Sequence, residues 1–380
     1  MKVPWLLVAG DLTPLGGMDH ANYALARYLA VRGDDVHLVT HRVWPDLEAL
    51  PSVTVHRVWR PCSRHLLGGP LLSRAGRHSW RAMRVHGARA VVNGGNCAVP
   101  ATNWVHYLHA AFRPQVVGSP VHRVKVAYAY ERELRAERAA LSDARVVICN
   151  SHRTRRDVIE YAGIDESRVH VVYYGTDPAV FAPVDETARS SAKRGLGLCD
   201  ARPLVGFVGA LGDRRKGFDT LFEVWKSLCR RRAWDAHLVV VGHGAELPAW
   251  RTRARAAGIA DRMSFLGFRE DVPDILAALD ALVHPARYEA YGLSVQEALC
   301  RGVPALVSRS AGVAERYRPE LQELLIDSPD DPGELEARLI LWRRNLEQFR
   351  RLVMPLSNAL RAHSWDSMAR QIADCVQRVA

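Results

Sequence analysis

Residues 281–307 read ALVHPARYEAYGLSVQEALCRGVPALV, and three kinds of element are written there in order. The apolar run Ala281 to His284 stops at Pro285 and has the length of a buried strand, as does Ala305 to Val307. Between them, Ser294 with Glu297 three residues later matches a capping box, which predicts a helix from Ser294 to near Gly302, ahead of Pro304. Strand, loop, helix and strand make a parallel βαβ unit, so the expected class is α/β. In open parallel sheets ligands bind beyond the carboxyl ends of the strands, which directs attention to the loop Glu289 to Leu293.

The same grammar repeats on both sides of this stretch. Short apolar runs at Trp5 to Ala9, Val36 to Thr40, Ala90 to Val92, Val105 to Leu108, Val146 to Cys149 and Val169 to Val172 alternate with helical segments such as the amphipathic run Ala21 to Arg32. A second series follows at Leu204 to Val208, Leu238 to Val241, Met263 to Leu266, Ala281 to His284 and Ala305 to Val307, with a helix expected over Gly217 to Arg230. Two tandem, doubly wound Rossmann-like domains are therefore predicted, as suits a chain of 380 residues. The polar segment Phe181 to Pro203, bracketed by Pro178, Pro183 and Pro203, is the expected hinge. That gives domains at 1–182 and 183–355, followed by a helical stretch at 356–380 that includes Trp365.

Composition narrows the partners without choosing one. A net charge of +11, carried almost wholly by Arg, favours nucleic acid, a membrane surface or phosphorylated small molecules. The seven cysteines at 62, 97, 149, 199, 229, 300 and 375 show no paired spacing, so a reducing cytoplasm is expected. No run approaches the roughly 20 apolar residues that span a bilayer, and membrane contact would be peripheral, at the inner face.

Candidate site residues lie at predicted strand ends. The helix beginning at Ser294 offers unsatisfied N–H groups and a positive dipole end to an anion such as a pyrophosphate. A carboxylate at Glu289, just before that turn, opposes phosphate and suits a hydroxylated group instead. After the strand Leu204 to Val208, the loop Gly209 to Asp219 carries Arg214, Arg215 and Lys216 in a row, a set able to neutralise a leaving diphosphate. After the first strand, Gly16 and Gly17 allow close backbone approach to a ligand. His106 falls inside a strand-like run, whereas His109 falls where that strand should end. No third ligand joins these two histidines and no Asp-x-Asp pair stands at a strand end, so no metal is expected.

Glu289 and Glu297, with seven residues between, resemble the E-x7-E motif of retaining glycosyltransferases of the GT-B fold, family four. The resemblance assigns Glu289 to the donor sugar, the amides near Gly292 and Leu293 to the diphosphate, and Glu297 to the nucleotide ribose. Lys216-Gly217 is similar to the family's Lys-Gly, Gly16-Gly17 to its Gly-Gly, and His109 to its strand-end His. Cys149 to Ser151, followed by Val169 to Pro183, is similar to its S...PNGVD...FxP passage, with Tyr174 in place of Asn. Where the family has an Arg after the first Gly of the phosphate loop, this chain has Ala210, which leaves Arg214 or Arg215 to supply that charge. The resemblance thus makes Glu289, His109 and Lys216 the candidate catalytic residues. Its donor contacts are Gly16, Gly17, Arg214, Arg215, Lys216, Glu289, Tyr291, Gly292, Leu293, Ser294 and Glu297, with Phe268 and Arg269 at the base. It implies an acceptor-binding first domain, a donor-binding second domain and a terminal helix returning to the first. It also implies metal-independent transfer with retention, from a UDP, GDP, ADP or dTDP sugar to a glycan, lipid-linked or small-molecule acceptor, with no cofactor.

Three rivals stay in view. A dehydrogenase would use Gly242-His-Gly244 as a dinucleotide fingerprint, but Leu247 stands where its third small residue belongs and Pro248 follows. An epimerase or phosphorylase would share the architecture. A non-enzymatic protein for anionic surfaces would use Arg74, Arg77, Arg81 and Arg84, which share one helix face, although no nucleic-acid module accompanies them.

Overall fold

The computed structural model describes residues 3–61, 65–115, 119–198, 202–212 and 214–379; Cys62 and Cys199 lie outside them. The chain divides into two compact units, one of residues 1–113, 118–175 and 363–380, the other of 114–117 and 176–362.

The first unit is built on β1 (Trp5–Val8), β2 (Asp11–Leu12), β3 (Val36–Thr40), β4 (Arg42–Val43), β5 (Val53–Arg57), β6 (Arg89–Asn93), β7 (Thr102–Val105), β8 (Val146–Cys149) and β9 (Val169–Val171). Seven of these form one sheet, β5-β3-β1-β6-β7-β8-β9, every pair parallel, while β2 and β4 pair separately. The central strands are buried along their length, Trp5 to Val8 on β1 and Val146 to Cys149 on β8, which is why they read as unbroken apolar runs. The helices are α1 (Gly17–Val31), α2 (Pro45–Glu48), α3 (His65–Met83), α4 (Pro120–Asp143) and α5 (His152–Ala162).

Within the second unit, β10 (Leu204–Val208), β11 (His237–Val241), β12 (Met263–Gly267), β13 (Ala281–His284), β14 (Ala305–Ser308) and β15 (Leu325–Ile326) form a parallel sheet in the order β12-β11-β10-β13-β14-β15. Around it stand α6 (Glu186–Gly195), α7 (Phe218–Leu228), α8 (Leu247–Ala256), α9 (Val272–Ala278), α10 (Leu293–Cys300), α11 (Pro332–Arg344) and α12 (Leu346–Arg361). A last helix, α13 (Trp365–Val379), belongs to the first unit, where it packs on α1 and sets Trp365 against His20 at 4.4 Å between ring centres. Its buried face is Met368, Ala369, Ile372, Ala373 and Val376.

Two doubly wound parallel sheets are what the alternation predicts; four local expectations are corrected. The strand expected at Val105 to Leu108 is β7, three residues earlier, because buried Thr102 and Asn103 hide it from a hydrophobic count; the Asn103 amide donates to Gly94 O at 2.9 Å. The segment expected as a hinge contains α6, capped by Asp185, whose side chain accepts from Ala188 N at 2.7 Å. Ser294 and Glu297 form no capping box: α10 starts at Leu293, capped by Gly292 at φ 109°, with no side-chain cap bond. The amphipathic run expected from Ala21 begins at Gly17, so the glycine pair is the helix start itself, with Gly16 as its cap at φ 79°.

Candidate functional site

Strand order reverses in the second unit where β10 stands between β11 and β13, so the loops leaving β10 and β13 rise side by side. They are fitted together by backbone. Gly217 sits at φ 69°, and a Cβ there would lie 1.9 Å from the Pro285 carbonyl oxygen, so only glycine fits. Arg287 fastens the pair: its N–H donates to Arg215 O at 2.9 Å, and its guanidinium reaches Arg214 O at 2.5 Å and both Asp219 carboxylate oxygens at 2.7 and 3.0 Å.

This fitting brings Lys216 and Glu289 into contact. The Lys216 ammonium donates to Glu289 Oε2, and the same oxygen accepts from His284 Nε2 at 2.8 Å. Since a carboxylate only accepts, the shared hydrogen rests on Nε2 of the imidazole. Burial works to raise the Glu289 carboxyl, but the Lys216 charge and the His284 bond outweigh it and hold the group well below the usual carboxylate range. His284 is fully buried, and burial keeps its ring neutral by lowering its titration.

Beside this cluster stands the start of α10. Val295 and Gln296 both donate to Gly292 O at 3.1 Å, while the N–H groups of Gly292, Leu293 and Ser294 meet no acceptor among the described residues. Three open amides and the helix dipole make a site for an oxyanion. The carboxyl of Glu297, half-buried one turn further on, has no hydrogen-bond partner among the described residues, and burial pushes it up to about 8. Tyr291 turns inward and donates to Gln296, so its hydroxyl is committed to the core.

Of the two arginines that precede Lys216, Arg214 has φ 55° and lies 3.8 Å from Asp219 and 4.0 Å from Glu246. Arg215 acts elsewhere, its charge favouring ionisation of Glu289 and opposing protonation of His284. At the end of β12, Phe268 is 68% exposed, and Arg269 chelates Asp271 through Nε at 2.6 Å and a second, shorter contact. Gly242, one of the glycines that prompted the dinucleotide reading, is taken up by packing: a Cβ there would lie 1.9 Å from Gly209 O.

Gly16, Gly17, His106 and His109 belong to the first unit. His106 stands just past β7, buried, with Nε2 3.0 Å from the Asn93 amide and Nδ1 against the Tyr174 hydroxyl; burial pushes it down to about 3. His109 is a third exposed and opens a short 3-10 turn. Its backing was not foreseen: buried Glu137, from α4, accepts from His109 Nδ1 at 2.9 Å, His109 N at 2.8 Å and Ala110 N at 3.1 Å. His284, Arg287 and Glu137 are thus the site-shaping residues that the sequence reading passed over. No helix among the described residues is long and apolar enough to cross a membrane.

Two family models match, one for group 1 glycosyl transferases over residues 189–353 and one for glycosyltransferase family 4 over residues 15–180. The chain is 28% identical over 283 residues to a D-inositol 3-phosphate glycosyltransferase of Corynebacterium urealyticum, a match covering 71% of this chain and 65% of that protein's length. Among solved structures, sucrose-phosphate synthase from Thermosynechococcus elongatus superposes with TM-score 0.79 at 21% identity, over 100% of this chain and 99% of that one. Anabaena Alr3699/HepE in complex with UDP and glucose superposes with TM-score 0.70 at 17% identity, over 99% and 100%. At these identities both likenesses speak for the fold.

Proposed function

The chain belongs to glycosyltransferase family 4, and from that premise we propose that it moves a sugar from a nucleoside diphosphate sugar to an acceptor hydroxyl, with retention at the anomeric carbon and without a metal ion. One observation carries the assignment of the donor site: Lys216 and Glu289 meet where the second sheet reverses, beside the three open amides that begin α10. Cation, dipole and amides together suit a departing diphosphate, and preorganised charge of this kind is the largest single contribution to many enzymatic rates. Arg215 takes the part left open by Ala210, an assignment supported by the reach of its charge to Glu289 and by the proximity of Arg214 to Asp219 and Glu246.

In this mechanism the bond from the anomeric carbon to the phosphate oxygen breaks as the acceptor oxygen bonds on the same face, and the hydroxyl proton passes to the leaving phosphate. Glu289 meets the sugar hydroxyls, Glu297 the ribose, and exposed Phe268 the base. His109 and the Gly16-Gly17 helix start take the family's roles toward donor sugar and phosphates. UDP is the first nucleotide to try, because the Alr3699/HepE structure holds it.

Calorimetric titration with UDP, GDP, ADP and dTDP in the presence of a chelator tests this proposal. The expected result is micromolar binding of one nucleotide, weakened about tenfold or more by Lys216→Ala and by Glu297→Ala, as loss of a charge-assisted contact predicts. Binding of none, or binding indifferent to both substitutions, returns the chain to the anionic-surface reading. The anomer of the transferred sugar, read by proton NMR of the product, tests retention.

A further inference from the structure

One of the buried polar groups of the second unit for which the mechanism above has no use lies directly against Glu289. His284 is the last residue of β13, paired in register with Val307 of β14 and lying 6.4 Å from the Phe207 ring, in surroundings that would suit an aliphatic side chain. Its Nδ1 is buried with no partner among the described residues, a cost an apolar residue would not incur. Its single compensating bond is Nε2 to Glu289 Oε2. That oxygen has two donors of different character. Lys216 reaches it on a four-carbon stem from a loop, while His284 reaches it from a ring locked inside the sheet.

Resting on the donor-site reading, a diphosphate that draws the Lys216 ammonium toward itself weakens or breaks its contact with Glu289. We propose that His284 is the positioning residue for Glu289, holding its carboxylate in one orientation through Nε2–H when a bound diphosphate takes Lys216. The charged or titratable groups facing Glu289 are Lys216, Arg215 and His284. Of the two that hydrogen-bond to it, only His284 stays fixed through this exchange. The arrangement gives the site a carboxylate that does not swing when the phosphate arrives, so the sugar meets a preset acceptor of hydrogen bonds.

Titration of the Glu289 carboxyl by carbon-13 NMR, with its resonance identified by loss in Glu289→Gln, tests the coupling without any ligand. His284→Leu removes the donor and is expected to raise the midpoint by about one pH unit or more. His284→Gln, whose amide nitrogen can stand near the position of Nε2, is expected to keep it close to wild type. A second arm compares UDP with UDP-glucose by calorimetry. The leucine variant is expected to bind UDP as wild type does but to lose about tenfold in the extra affinity conferred by the sugar, the equivalent of one pH unit of coupling. Should His284→Leu fail to fold, His284→Asn, whose amide falls short of Glu289, takes its place in both arms. An unshifted Glu289 midpoint in the leucine or asparagine variant overturns the proposal. Wild-type protein that binds no nucleotide overturns the donor reading instead, while the ligand-free titration still decides whether His284 governs Glu289.

Discussion

Glu297 brings a pH dependence that a single substitution isolates. Its carboxyl titrates near 4.5 when unfolded and is pushed up to about 8 by burial in the fold. The folded state therefore holds the extra proton between these values, and stability falls as pH rises from about 5 through about 8. Glu297→Gln removes that titration. The variant is expected to gain in melting temperature over wild type from about pH 5 to about pH 8.5, by a few degrees at roughly 2–4 °C per kcal/mol. An equal difference at both ends, by scanning calorimetry, would sink the assignment. Gly217 supports a second expectation at this scale. An alanine methyl would strike the Pro285 carbonyl at a positive φ, so Gly217→Ala is expected to cost roughly 1–3 kcal/mol in urea and to displace Lys216. Lys216 and Glu289 are each legible in sequence from their loops, but their contact is not, because it depends on the order of strands. Glu137 is less legible still. It shares a polar helix with Glu131 and Glu133, and only its place against the His109 turn distinguishes it.

Among the elements, α6 shows how composition misleads. Its Ser, Lys and Arg residues read as linker, yet Arg189 is buried, and Lys193 reaches buried Asp280 at 2.8 Å. Asp280 also takes Leu204 N at 2.7 Å and the Arg350 guanidinium of α12, so one carboxylate ties the start of β10 to two helices. Removing one member of a buried ionic group leaves the others uncompensated, and Asp280→Ala is expected to cost about 3–5 kcal/mol. A urea midpoint within error of wild type would show the cluster to be inert. The signal for α6 was present in Asp185, a good cap residue, but no continuous apolar stripe confirmed it, since the inward side of this helix mixes Ala192 with the cations Arg189 and Lys193.

For the whole molecule, the parallel class of both sheets was legible because strands buried on both faces must be apolar throughout, and eleven such runs alternate with helices. What escaped were the short or polar strands β2, β4, β5 and β15, where two-residue length or surface exposure erases the pattern. The return of α13 to the first unit is open to a direct test. A chain ending at Ala362 exposes the α1 face and the ring of His20, and its first unit is expected to unfold at lower urea and to bind a hydrophobic dye. An unchanged transition would mean that α13 contributes nothing to that unit.

The threading of residues 363–380 into the unit begun at the amino end has a consequence for biosynthesis. A ribosome delivers β1 to β9 first, then residues 176–362 of the second unit, and only then the helix that covers α1. The amino-terminal unit, usually the first to settle as a chain emerges, must here wait with an uncovered apolar flank until nearly two hundred further residues have been made. Chaperone occupancy during synthesis should therefore persist on the first unit until α13 emerges, and nascent chains stalled before Trp365 should be the protease-sensitive ones.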